Sequence, residues 1–390
     1  MFRYLWYDSR ARAWLLQGAA IAVVMGGLGW LVWNAQHNLA ARGIAMGFGF
    51  LAETARFPIS ESLLAYTPVD SYGRAFLVGL VNTLYISLLV IGASTVLGFL
   101  LALARRSRHP LVSALAAVYV EAMRNTPLVL QLLFWYSVLT LNLPAARQAY
   151  EPVSGFFLSI RGLFFPAVSL EGNTALFWTS TVVALLVVMA GPALGRRIVR
   201  SGPGAGSGSR YAWRRGAWSA AAFIVIFGAL AGGIQMHIEK PVLQGFNFVG
   251  GSVFTPEFTS LLIGLILYST AFSGEIIRGG IDAVDNGQWE AARSLGLRPW
   301  PTLRQIIVPQ AMRVIVPPMT TQFLSIIKNT TLALAVGYPD LSFVIATTIN
   351  QTGQAVEGIA ILMAVYLSIS LAISIFMNVY NRRITRTQRP

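Results

Sequence analysis

The chain has 390 residues, of which 55% are hydrophobic and 11% charged, a composition typical of a polytopic membrane protein and too apolar for a soluble domain. Its net charge of +14 does not indicate nucleic-acid binding, because the basic residues form short clusters beside apolar segments, as the positive-inside rule predicts. The absence of cysteine excludes disulfides, thiol catalysis and cysteine-ligated metals.

Eight apolar runs are long enough to cross a bilayer core, which is about 30 Å thick and needs about 20 helical residues. They are Trp14–Trp33, Ala75–Ala104, Leu111–Leu141, Ala175–Gly195, Ala217–Gln235, Phe258–Ile281, Val314–Val336 and Gly358–Tyr380. The third run is interrupted by Glu121, Arg124 and Pro127, so a kinked or re-entrant element is the alternative there. We therefore predict an all-α membrane protein with about eight transmembrane helices.

The first run has no small-residue cleavage site after it, so we expect a retained helix and not a signal peptide. With the N-terminus inside, the inner segments hold 21 arginines and the outer segments only six basic residues. This asymmetry predicts that both termini are cytoplasmic. The Gly- and Ser-rich segment Ser201–Ser209 is predicted to be a flexible inner connection between the fourth and fifth runs.

Two groups of polar residues interrupt the apolar runs and are candidates to line a polar pathway across the membrane. The first is Asn125, Thr126 and Gln131; the second is Lys328, Asn329, Thr330 and Thr331. A lone ammonium near mid-span costs about 2.5–3.5 kcal/mol on insertion scales, so Lys328 should face a partner or a water-filled cavity. A snorkelling side chain or a polar brace between helices is the alternative for Lys328.

A longer polar segment separates the sixth and seventh runs. Asp285 and Asn286 are good N-cap types, and we predict a short helix from Trp289 to Leu295 that Gly296 ends. Trp289, Ala292 and Leu295 are expected on one face of it. Such a half-apolar helix suits a groove on another protein, with an interfacial helix on lipid headgroups as the alternative.

The chain lacks the residues of an enzyme. Lys240 follows Glu239 and Lys328 follows Ile327, so neither lysine belongs to a phosphate-binding loop, and we expect no ATP hydrolysis by this chain. The three histidines, His37, His109 and His237, have no metal-ligand spacing. We predict neither a catalytic residue nor a bound cofactor or metal.

The spacing of Glu290-Ala291-Ala292, Gly296, Ile306 and Val308-Pro309 resembles the cytoplasmic EAA loop of permease subunits in ABC importers. Val308 stands where that family usually has leucine. The resemblance implies that this coupling segment, Glu290–Pro309, receives the motion of a separate ATPase subunit. The residues implied to act in coupling are Glu290, Ala291, Ala292, Leu295, Gly296 and Pro309. Glu275 and Arg278, spaced i, i+3, are expected to cap or brace the segment.

Four further stretches are similar to polar amino-acid permeases of the histidine/glutamine type. They are Asn82-Thr83-Leu84, Arg124–Gln131 with its Asn-Thr-Pro sequence, and Ala271–Ile281 together with Ile326–Ala333. The long layout resembles the general L-amino-acid ABC importers of Gram-negative bacteria. It implies four parts: 1–72, an N-terminal span and periplasmic loop; 73–141, the first part of the permease core; 142–257, a periplasmic loop, two extra spans and the linker; and 258–390, the core with the coupling segment.

The resemblance implies an inner-membrane permease that translocates amino acids into the cytoplasm with a type I ABC importer fold. The implied partners are two copies of an ATPase that hydrolyses ATP, a second and related permease chain, a periplasmic amino-acid-binding protein and membrane lipid. Two alternatives stay open, an ion-coupled secondary transporter and an ABC permease for another small polar solute. The first would need paired acidic residues or broken helices in corresponding halves of the chain.

Overall fold

The computed structural model describes residues 9–41, 47–199, 207–233 and 235–386. The helices are α1 (Ser9–Ala41), α2 (Tyr72–Arg105), α3 (Pro110–Asn125), α4 (Leu128–Leu141), α5 (Thr174–Val199), α6 (Ser207–Ala231), α7 (Pro256–Asp282), α8 (Asn286–Ser294), α9 (Pro299–Thr302), α10 (Val308–Asn329), α11 (Leu341–Thr352) and α12 (Ala355–Arg386). Short 3-10 helices span Phe48–Ala52, Ala146–Gln148 and Thr330–Ala335, and a π-helical turn spans Leu303–Ile307. The strands are β1 (Tyr150–Val153), β2 (Phe156–Ser159), β3 (Gly162–Phe165), β4 (Ala167–Glu171), β5 (Gln235–Glu239), β6 (Val242–Gln244), β7 (Asn247–Val249) and β8 (Ser252–Phe254).

Within the described residues, four helices are long and apolar enough to cross a membrane. Their apolar stretches are Arg12–Asn34, Tyr72–Arg105, Pro256–Asp282 and Ala355–Asn381. Shorter apolar helical stretches cover Leu128–Leu141, Ala175–Val188 and Gly216–Ala231. The chain is thus mostly helical with several apolar helices, and the total of eight spans stays a prediction.

The predicted third span is two helices. α3 ends at Asn125 and α4 begins at Leu128, on either side of Thr126 and Pro127. Thr126 has extended backbone angles (φ −98°, ψ 129°) because the proline ring excludes the α conformation from the residue before it. Leu111–Leu141 is therefore not one continuous helix, and the kinked alternative describes this stretch.

The chain divides into two compact units, one made of Met1–Ser137 with Glu257–Pro390 and the other of Val138–Pro256. In the first unit, side chains from α2 and α11 form a buried cluster with the 3-10 helix near residue 50. Its members include Phe50, Tyr72, Phe76, Leu341, Val344 and Ile345. α11 begins where the Asp340 carboxylate accepts a hydrogen bond from the Phe343 N–H (2.8 Å), and it ends at Gly353 with φ +73°.

α2 and α7 approach closely in the same unit. A Cβ on Gly98 would lie 2.9 Å from the Ser273 Cβ, closer than real Cβ contacts, and 3.0 Å from the Gly274 backbone N, tighter than nearly all of them. Gly92, on the same helix, has nothing within 4 Å of its Cβ position. Only glycine at 98 permits this contact between the two helices.

Gly98→Ala is therefore expected to lower the free energy of unfolding by about 1–3 kcal/mol, because an added methyl group overpacks a contact with backbone. Gly92→Ala is the matched control and should be neutral or stabilising, since alanine favours helix by up to about 1 kcal/mol. Thermal unfolding of the two detergent-purified variants measures the difference. Equal midpoints would show that the two helices separate easily at this point.

The second unit contains all eight strands named above. β1, β2, β3 and β8 form an antiparallel sheet in that order, while β4 pairs with β5 and β6 with β7. The Phe248 ring stacks on Phe157 with centroids 4.6 Å apart and packs at a tilt against Phe164 with centroids 4.9 Å apart. The prediction of an all-α chain was wrong for this unit. Aromatic residues that alternate with turn glycines, such as Gly155 (φ +83°), favour strands here.

The predicted linker Ser201–Ser209 lies mainly outside the described residues, which resume at Ser207. Its last three residues form the start of α6.

Candidate functional site

Local hydrogen bonds define the ends of α8, the helix of the coupling segment. At its start, the Asp285 carboxylate accepts a hydrogen bond from the Gly287 N–H at 2.6 Å. At its end, the Gly296 N–H donates to the Arg293 carbonyl (2.9 Å) and the Leu297 N–H donates to the Ala292 carbonyl (3.0 Å). With Gly296 at φ +70°, this is a Schellman motif. The predicted short helix and its glycine stop are confirmed, although the helix begins three residues earlier, at Asn286.

α8 presents different residues on its different sides. Ala292 is 1% exposed, and Trp289 packs beside it against a buried cluster with Ile281, Val284 and Ile307. Glu290 and Ala291 are exposed. Leu295 is 77% exposed, so the prediction that it shares the face of Trp289 and Ala292 was wrong. Leu295 is the cap residue that follows the last helical residue, Ser294, and the left-handed turn at Gly296 comes directly after it.

Charged side chains connect the ends of α2 and α7 beneath this helix. The Arg105 Nε lies 3.1 Å from the Glu275 Oε1, and the Arg278 Nη2 lies 2.8 Å from the Glu275 Oε2. Asp282 then pairs with Arg278 at 2.8 Å and with Arg106. Isolated exposed pairs contribute about 0–1 kcal/mol each, but a shared network fixes the geometry of several groups together. The predicted i, i+3 pair of Glu275 and Arg278 is present and extends to α2.

Arg106 joins this network to α8. Its guanidinium lies 5.3 Å from the centroid of the Trp289 ring, which is within the range of a cation–π contact. Burial, and next the charge of Arg278, lower the pKa of Arg106, which stays charged because a guanidinium is not deprotonated in proteins. α8 is therefore fixed to the end of α2 by both packing and charge.

The other side of α8 faces the start of α10. The Gln310 Nε2 donates to the Gln288 Oε1 at 3.1 Å. Pro309 lies in the first turn of α10, directly after the π-helical turn Leu303–Ile307. With Asp285 and Arg313, it lines an open cavity of about 550 Å³. A displacement of α8 would thus reach α2, α7 and α10 together.

The first group of predicted solute contacts surrounds the break between α3 and α4. Asn125 and Thr126 are exposed, and the Thr126 hydroxyl donates to the Ala122 carbonyl at 2.8 Å. Gln131 is buried, and its Nε2 donates to the carbonyls of Met123 and Thr126, both at 3.0 Å. Gln131 therefore satisfies backbone groups that the break at Pro127 leaves open. This is a structural use of its amide group.

The second group lies at the end of α10 and in the 3-10 turn that follows. Lys328 is exposed and Asn329 half-buried. Thr330 is buried, its hydroxyl donating to the Ile327 carbonyl at 2.7 Å, and the Thr331 hydroxyl donates to the Lys328 carbonyl at 2.8 Å. No hydrogen bond or ion pair in the described part of the chain joins this group to Asn125, Thr126 or Gln131. Their role in solute contact stays a prediction.

A buried polar anchor lies at the start of α11 and was not among the predicted site residues. The Asn82 Nδ2 donates to the carbonyls of Pro339 (2.9 Å) and Glu61 (2.8 Å), and the Thr83 hydroxyl accepts from the Leu341 N–H at 3.0 Å. Asp340 between them is fully buried. The Pro-Asp pair before an apolar run was the available sign of this helix start. In the part of the chain that the structure describes, no cluster of three His, Cys, Asp or Glu residues could hold a metal.

Comparison with known proteins adds independent observations. Residues 241–386 match the family model described as "Binding-protein-dependent transport system inner membrane component". A putative amino-acid ABC transporter permease protein of Escherichia coli K12, YhdX, is 46% identical over 97% of this chain and 95% of its own length. The general L-amino acid transport system permease protein AapQ of Rhizobium johnstonii is 38% identical over 100% of this chain and 96% of its length.

A third relative is the glutamate/glutamine/aspartate/asparagine transport system permease protein BztB of Rhodobacter capsulatus. It is 37% identical over 98% of this chain and 96% of its own length. Each of these three matches extends along 97% or more of the chain.

Proposed function

Because this chain belongs to the family of amino-acid ABC transporter permeases, we propose that it is the membrane-spanning permease subunit of an ABC importer that moves amino acids into the cytoplasm. The observation that carries the proposal is similarity along nearly the full length to permeases for amino acids. The exposed side chains of Glu290 and Leu295 on α8 support it, because they are free to contact another protein. The protein is a transport component of the inner membrane and not an enzyme.

The mechanism we propose assigns the energy source to a partner. Two copies of an ATPase subunit bind and hydrolyse ATP and contact the outward side of α8. Closure of the ATPases displaces α8, and the contacts of Trp289, Gln288 and Arg106 pass the displacement to α2, α7 and α10. The translocation path then changes between two states through this protein interface. A second, related permease chain completes the pathway, and a periplasmic amino-acid-binding protein delivers the substrate.

We further propose eight spans with both termini in the cytoplasm, and the four parts 1–72, 73–141, 142–257 and 258–390 described above. The positive-inside asymmetry supports this orientation because it places the coupling segment on the side where ATP is found. Coupling is assigned to Glu290, Ala291, Ala292, Leu295, Gly296 and Pro309. Contact with the substrate is assigned to Lys328, Asn329, Thr330, Thr331, Asn125, Thr126 and Gln131.

Uptake by the reconstituted complex tests the proposal. The chain is captured by a C-terminal tag with its associated subunits, placed in proteoliposomes and supplied with the binding protein and labelled glutamate or glutamine. We expect uptake that requires internal ATP and the binding protein and that persists when ionophores remove ion gradients. Uptake that collapses with the ion gradient and ignores ATP would favour a secondary transporter. If no amino acid in a competition panel competes for uptake, the assignment as an ABC permease would stand. The assignment of amino acids as its substrate would then be contradicted.

A further inference from the structure

A second cavity lies beside α8, on the side of α2 and α9. Its volume is about 500 Å³, and its lining combines three arginines with apolar side chains. The arginines are Arg106, Arg108 and Arg293, and the apolar part includes Leu103, Leu297 and Leu303. A cavity with cationic and apolar parts is complementary to a ligand that has an anionic group and an apolar chain.

The cavity has an excess of positive charge. No Asp or Glu lines it. Arg106 is already paired with Asp282 beyond the lining. Neither Arg108 nor Arg293 forms an ion pair in the described part of the chain, and Arg293 donates only to the Trp289 carbonyl, at 3.3 Å. Two guanidinium groups are thus available for a bound anion, and guanidinium geometry suits phosphate oxygens.

The position of the cavity indicates where the anion comes from. The apolar stretch Tyr72–Arg105 ends one residue before Arg106, so Leu103 lies within the span and Arg106 and Arg108 lie just beyond it. In the orientation proposed above, this depth is the headgroup layer of the cytoplasmic leaflet. Basic pockets at this depth commonly contact anionic lipid headgroups.

The face of α8 that lines the cavity differs from the one assigned to the ATPase. Asn286, Trp289 and Arg293 line it, and their spacing of three and four residues places them on one side of the helix. Ala291 lies more than a third of a turn from each of these residues, Glu290 borders the same side without lining the cavity, and both are exposed. A ligand in the cavity would therefore leave the outward face of α8 free.

We propose that this cavity binds an anionic phospholipid of the cytoplasmic leaflet, with its phosphodiester at Arg108 and Arg293 and an acyl chain against Leu103. The proposal rests on the orientation given under the proposed function. The bound lipid connects the end of α2 to α8 and so stabilises the position of the coupling helix. Anionic lipid is then a bound component of the working transporter as well as part of the surrounding bilayer.

Lipid-dependent stability of the purified complex tests this inference. Thermal-unfolding midpoints are measured with added phosphatidylglycerol or phosphatidylcholine for the wild type and for the double variant Arg108→Gln/Arg293→Gln. The control variant is Arg304→Gln, because Arg304 is an exposed arginine outside the cavity. We expect phosphatidylglycerol to stabilise the wild type and the control. Its apparent affinity for the double variant should fall by about thirtyfold, since each lost charge near an anionic surface weakens binding about fivefold.

A charge-retaining variant, Arg108→Lys/Arg293→Lys, keeps the test decisive if the glutamine variant is unstable, and we expect most of the lipid effect to survive in it.

Equal stabilisation of all variants by phosphatidylglycerol, or equal effects of the two lipids, would overturn the proposal. Stabilisation by inorganic phosphate alone to the same extent would make the site one for small anions. Loss of the ATPase from the double variant with lipid binding intact would assign the arginines to a protein contact. None of these three outcomes depends on whether the transported solute is an amino acid.

Discussion

Replacement of Gly296 by valine is expected to lower amino-acid uptake about tenfold or more while the chain still inserts in the membrane. Gly296 has φ +70°, and nothing lies within 4 Å of its Cβ position, so an added side chain meets no steric obstacle. The cost of valine is therefore conformational, about 1–2 kcal/mol or more for a β-branched residue in the left-handed region. The strain is relieved by loss of the Schellman hydrogen bonds, which changes the direction of the chain after α8.

Asparagine at position 296 is the matched control, because it tolerates the left-handed region and fits the same open space. The two variants are compared by uptake and by ATP hydrolysis in proteoliposomes. We expect valine to separate hydrolysis from uptake and asparagine to keep them coupled. Full uptake by the valine variant would show that the backbone angle at Gly296 does not matter for coupling.

Replacement of Leu295 by aspartate is expected to weaken association with the ATPase by about thirtyfold, as loss of an apolar anchor at an interface typically does. Leu295 is 77% exposed in the isolated chain, so its replacement removes little internal packing. Stability of the permease should therefore stay within about 0.5 kcal/mol of the wild type. Co-purification of the ATPase with the tagged chain, followed by uptake, measures the effect.

Leu295→Met conserves apolar character and volume, and we expect it to retain the ATPase and uptake. The pair of variants separates loss of an apolar contact from disturbance of α8. If the aspartate variant retains the ATPase at the wild-type ratio, the outward side of α8 is not where the ATPase binds. The alternative of an interfacial helix on lipid headgroups would then be favoured for this residue.

The sequence predicted α8 well because the signals for its ends are local. Asp285 accepts a hydrogen bond from a residue two positions away, and Gly296 supplies a backbone angle that other residues avoid. The break at Pro127 follows from the same kind of short-range rule. The exposure of Leu295 could not be predicted by helical periodicity, because that residue caps the helix and the periodic pattern stops there.

Contacts between distant residues could not be predicted from the sequence. Arg105 and Glu275 are separated by 170 positions, and nothing in either local pattern indicates their partner. The Gln131 amide group donates to carbonyls across the break between α3 and α4, a use that its residue type alone does not indicate, and its contact with the solute stays a prediction. The strands of the second unit are three to five residues long, too short for a clear alternation of apolar and polar residues, and they lie mostly where a periplasmic loop was predicted.

The contact at Gly98 limits how this protein changes shape. Ser273 occupies the space that a side chain at position 98 would need, and one ion pair joins the same two helices at Arg105 and Glu275. Relative sliding of α2 and α7 would break both contacts, so we expect the two helices to move as one rigid body. Bending is then left to the points where helical hydrogen bonding is already interrupted, at Thr126–Pro127 and in the turn between α10 and α11. A transporter built this way opens and closes by pivoting at hinges and keeps its packed helices intact.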